Sequence, residues 1–186
     1  MKETIDNRTI WNEAAKTALV FAAVTIACNL LKRGLTALEP PTFLLMLGTG
    51  VLWAAEFVGC IFLMRFFLQK MVRDYEGVIN IDTYKYGRRI ALFSAIVIAV
   101  YNYLIIYFTP EVKLQEMMDE MLGQYGSMLD SNTLGAMEEM LPNLPVIMFF
   151  GNLLYCWMYG TLLSAILSRM IPPQNPFANV NTPTEP

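Results

Sequence analysis

The residues able to do chemistry in this sequence are few, and most lie inside long apolar runs. There is no histidine, the side chain that most often serves as general base, proton shuttle or metal ligand. Cys28, Cys60 and Cys156 stand far apart, each within an apolar run. They form no CxxC pair and no disulfide framework, and they read as small buried hydrophobes. Glu56 is different, a carboxylate near the middle of an apolar run. In hydrocarbon such a group must be protonated, paired or turned toward water inside a helical bundle. It is therefore either a proton or cation site or a hydrogen-bonding residue between helices. Without a second ionisable partner in the pattern, the latter is the default expectation. Asn102 and Asn152 are the other intramembrane polar candidates, with Tyr155 and Tyr159 on the face of Asn152. No paired acids and no nucleophile–base spacing occur, so no catalytic residue is assigned and a non-enzymatic protein is expected.

The elements that must position these groups follow from length and hydropathy. Charged residues make up 16% of the 186, well below the roughly one quarter usual in soluble domains. Apolar runs cover about 14–31, 43–68, 90–108 and 145–171, each near the roughly 20 residues that cross a bilayer. The expectation is one all-α domain, residues 1–186, built as a four-transmembrane-helix bundle. Gly34 and Pro40-Pro41 are expected to end the first helix, and Gly48, Gly50 and Gly59 to let the second approach its neighbours closely, as Gly160-x-x-x-Ser164 does on the fourth. The mixed charges of Met1 to Lys16 and the lack of a small-residue cleavage site after the apolar run lead to the expectation of a retained span rather than a cleaved leader.

Orientation follows from basic residues in short loops. With both ends in the cytoplasm, the inner side holds Lys2, Arg8, Lys16, Arg65, Lys70, Arg73, Lys85, Arg88, Arg89 and Arg169, and the outer side only Lys32, Arg33 and Lys113. Antiparallel depths then match. Asn102 and Asn152 both fall roughly 10 Å below the outer surface at 1.5 Å per residue, close enough to bond across the two helices.

Residues 109–144 form the one sizeable extramembrane piece. Thr109-Pro110-Glu111 reads as a helix start with a capping hydroxyl. Leu114, Met117, Met118, Met121, Tyr125 and Met128 recur at three- and four-residue steps, opposite Glu116, Asp119 and Glu120, and Met137 and Met140 mark a second short apolar face. The pattern predicts an amphipathic helical hairpin outside the membrane. Its thioethers could ligate Cu(I), but leucine and tyrosine share the stripe and no histidine or cysteine joins it. Flexible apolar contact is the better reading, and no metal or cofactor is assigned.

Tyr84-Lys85-Tyr86-Gly87-Arg88-Arg89, Tyr101-Asn102-Tyr103, Tyr107-Phe108-Thr109-Pro110-Glu111 and Pro172-Pro173-Gln174-Asn175-Pro176 together resemble a bacterial inner-membrane family known only as a domain of unknown function, number 4199 in that series. The tail departs from the family pattern in lacking lysines. The resemblance implies a four-span bundle with an acidic helical insert in the inner membrane of a bacterium, and it supplies no activity. The leading expectation is an interaction or structural membrane protein that uses its outer hairpin. Its partners would be the bilayer and a second copy or another membrane protein, with no nucleic acid. The alternative is a small transporter or channel subunit with Glu56 as its proton or cation site.

Overall fold

The computed structural model describes residues 3–4, 7–38, 41–110, 112–116, 119, 123 and 141–172. Four long helices dominate: α1 (Asn7–Ala37), α2 (Thr42–Asp74), α3 (Asn80–Tyr107) and α4 (Leu144–Met170). All four are long and apolar enough to cross a membrane, and the chain is an all-α, multi-pass membrane protein. α1 and α3 run one way and α2 and α4 return. α3 packs along α4 and α1, and α2 lies beside α1.

The helices are longer than their apolar runs. The 33 residues of α2 rise roughly 50 Å, against a hydrocarbon core of about 30 Å. The excess lies mainly at the end where α1 begins and α4 finishes, here the terminal end. Helical hydrogen bonding continues there through Lys70, Arg73 and Asp74 on α2 and Asp82, Lys85 and Arg88 on α3, which hydropathy cannot register. Two-residue strands β1 (Glu3–Thr4) and β2 (Tyr75–Glu76) pair in parallel beside this end. Gly77 turns the chain into α3 with φ +72°, where a Cβ would be strained.

α1 continues through Gly34 and stops only before the prolines, so Gly34 does not break it. One glycine costs a helix about 1 kcal/mol, too little to end one already propagated. Thr109 also departs from expectation. Its hydroxyl donates back to the Ile105 carbonyl at 2.7 Å, and the Pro110 carbonyl accepts from the Lys113 and Leu114 amides at 3.0 and 3.2 Å. Thr109 thus closes α3, and the next helical turn starts after it.

Packing is tight in the terminal half and open in the other. The buried residues of α1 stop at Ala22, those of α3 stop at Ala99, and those of α2 and α4 begin at Met64 and Gly160. Small residues at four-residue steps make the close half: Ala14, Ala18 and Ala22 on α1, Gly87, Ala91, Ala95 and Ala99 on α3, and Gly160, Ser164 and Ser168 on α4. Without a hydrophobic drive between helices in lipid, such residues admit the close backbone approach that packing requires. A Cβ built on Gly160 would lie 2.6 Å from Ala91 Cβ. Thr17 and Tyr86 share a buried hydroxyl hydrogen bond of 2.8 Å between α1 and α3.

Two of the three α2 glycines do not act this way. Gly50 and Gly59 face open space, whereas a Cβ on Gly48 would lie 2.5 Å from Leu35 Cδ2 on α1. Phe43, Val51, Phe62 and Phe66 on α2, with Leu154, Leu162 and Ile166 on α4, are exposed. An apolar belt of this extent suits lipid and not water.

Candidate functional site

The open half of the bundle encloses a cavity of about 450 Å³ walled by all four helices, within the size range of small-molecule sites. α1 contributes Phe21, Thr25, Asn29, Lys32 and Arg33, and α2 contributes Trp53, Glu56, Phe57, Cys60 and Met64. α3 adds Ser94, Ile98 and Asn102, while α4 adds Asn152, Tyr155, Cys156 and Tyr159. The α1 set recurs at steps of four, three and one, and the α2 set at three and four, so each forms one helix face. A second, smaller hollow of about 100 Å³ lies at the terminal end beside Thr17, Lys70 and Tyr86.

Glu56 is not alone. Its Oε2 forms an ion pair with Lys32 Nζ, reaching from α1, and the two side chains are 18% and 24% exposed. An unpaired charge at the centre of a span costs about 2.5–3.5 kcal/mol on insertion scales, and pairing offsets much of that. Lys32 was expected to close the first span as an outer-surface charge. Because α1 continues past it to Ala37, it occupies a helical position turned toward α2. The two acidic oxygens and one ammonium lie on the cavity wall, where a ligand, a proton or a cation can compete for them.

Asn102 Nδ2 donates to Asn152 Oδ1 at 3.2 Å, joining α3 to α4, and Asn152 Nδ2 donates to the Met148 carbonyl at 2.7 Å. Tyr155 and Tyr159 stack with centroids 6.4 Å apart and planes 9° from parallel. Across the gap, Trp53 and Phe57 stack at 5.8 Å, and Phe57 meets Tyr159 at 5.8 Å. The Tyr159 hydroxyl is buried and has no hydrogen-bond partner among the described residues, leaving a donor and acceptor at the cavity wall.

All five intramembrane candidates, Glu56, Asn102, Asn152, Tyr155 and Tyr159, therefore line one space. Lys32, Arg33, Asn29, Trp53 and Phe57 were missed. The signal for the three α1 residues was the polar stripe Thr25, Asn29, Lys32, Arg33 in an apolar run; Trp53 and Phe57 carried none. Of the insert's apolar face, only Leu114 is described; it is half-buried between exposed Lys113 and Gln115. Met117, Met118, Met121, Tyr125, Met128, Met137 and Met140 lie outside the described residues, as does Pro173-Gln174-Asn175-Pro176. The arrangement offers binding chemistry: one charge pair, one further cation, amides, phenols and aromatic faces.

No family model matches the chain, and neither a curated protein nor a solved structure shows significant similarity to it.

Proposed function

We propose that the chain is a non-enzymatic protein of a bacterial inner membrane that takes a ligand into the cavity between its four helices, as a small transport or channel subunit. Both termini would face the cytoplasm, in accord with the basic-residue count, and the insert would be periplasmic. The observation that carries this reading is the Lys32–Glu56 pair on the wall of an open cavity. The packed half is held instead by hydroxyls of Ser164, Thr17 and Tyr86 and by small residues, which leaves this pair facing the open cavity. A proton or cation at Glu56 displaces the ammonium and releases α1 from α2, coupling occupancy to helix separation. Four spans without an internal repeat suggest that transport needs a second copy.

Partner binding through the insert, the leading expectation from sequence, is retained as a companion role. It takes second place because the cavity supplies the geometry. Single cysteines placed in a cysteine-free chain test the reading: position 29 should react with charged, water-soluble thiol reagents in native membranes and position 30 should not. Equal protection of both would sink the cavity as a ligand site.

A further inference from the structure

We infer that the ligand of this cavity is an anionic phospholipid taken sideways from the surrounding bilayer, its phosphate held at Arg33 and an acyl chain passing between Trp53 and Tyr155. This deepens the proposed ligand-binding reading and rests on it.

The geometry of the α2–α4 side carries the inference. The two helices touch through Phe57 and Tyr159. Trp53 and Tyr155 each stand one helical turn nearer the loop end, line the cavity, and are nevertheless 62% and 69% exposed. No residue of α2 ahead of Met64 and none of α4 ahead of Gly160 is buried. Trp53 and Tyr155 thus flank a lateral gap whose sill is the Phe57–Tyr159 contact. Tyr155 lies roughly 16 Å along α4 from its first residue, inside the acyl region of a bilayer about 30 Å thick in its core. What meets this gap is an acyl chain, and aromatic faces suit it.

The head-group end carries the opposite character. Arg33 lies roughly 6 Å from the loop end of α1, at the depth of lipid phosphates, and it borders the same cavity. Glu56 is engaged by Lys32, and no ion pair with Arg33 occurs among the described residues. Among the described lining residues, Lys32, Arg33 and Glu56 leave one positive charge, carried by a guanidinium fork suited to phosphate oxygens, with the Asn29 amide one turn below. A cation above and an apolar lateral gap below match the two ends of an acidic phospholipid.

The test uses the full chain in phosphatidylcholine vesicles. Trp11→Phe and Trp157→Phe leave Trp53 as the single tryptophan. Its quenching is read with acyl-brominated phosphatidylglycerol or acyl-brominated phosphatidylcholine at equal mole fraction. The expected result is about fivefold stronger quenching by the anionic lipid, the preference that one basic residue near the surface confers. Arg33→Gln should bring the ratio close to one, and Arg33→Lys should keep most of it. Equal quenching by the two lipids, or a preference that survives Arg33→Gln, would overturn the inference. If cysteine at position 29 labels in the delipidated, detergent-solubilised protein while the lipid preference is absent, the lipid is wrong and the cavity reading stands. If position 29 is protected even in the delipidated protein, both fail.

Discussion

Lys32 on α1 reaches across to Glu56 on α2, so a pair of opposite charges ties the two helices together on the wall of the cavity. Below that level the bundle is held by small residues in close contact. Above it, charge, amides and rings take over.

Removing one member of the pair strands the other. Glu56→Gln or Lys32→Met is each expected to lower stability by about 1–3 kcal/mol, less than for a sealed pair because the cavity admits solvent. The double variant should recover most of the loss, since no charge is left unpaired. Unfolding of the purified protein in a mild detergent, titrated with a denaturing one, measures all three. Additive losses in the double variant would mean the two charges act independently.

Gly87 and Ser164 mark a close approach of α3 and α4. A Cβ on Gly87 would sit 2.1 Å from Ser164 Oγ, and moving that hydroxyl breaks its 3.2 Å bond to the Tyr84 carbonyl. Gly87→Ala should destabilise by about 1–3 kcal/mol, the usual range for overpacking. Adding Ser164→Gly should restore more than half. A neutral Gly87→Ala in the same unfolding assay would contradict this packing.

The Asn102–Asn152 bond should register as coupling between α3 and α4. A double-mutant cycle with alanine at each position is expected to give about 0.5–1.5 kcal/mol, the range found for interhelical hydrogen bonds in membranes. Zero coupling would show that the two amides find other partners in the bilayer.

Much of this fold was legible because spanning helices announce themselves by length and apolarity, and antiparallel depth alone brought Asn102 to Asn152. The helix ends were not, because hydropathy ends where charged residues begin and backbone hydrogen bonding does not. The site was legible only in part. Glu56 was visible as an outlier, but its partner was hidden: Lys32 adjoins Arg33 and Gly34, and the three look like the edge of a loop. The spacing of Thr25, Asn29 and Lys32 on one face was the available clue. Gly50 and Gly59 misled, since a small residue permits close approach without compelling it.

The central claim is that a ligand-accessible cavity runs between the four helices beside the Lys32–Glu56 pair. Asn29 lines it, while Leu30, at the same depth, is 54% exposed on the outer surface of the helix. With Cys28, Cys60 and Cys156 replaced by alanine, the direct measurement compares the labelling rates of Asn29→Cys and Leu30→Cys by a charged thiosulfonate in native membranes. Because only a hydrated thiol ionises and reacts, position 29 should label at least about tenfold faster. Equal rates, or faster labelling at position 30, would contradict the account.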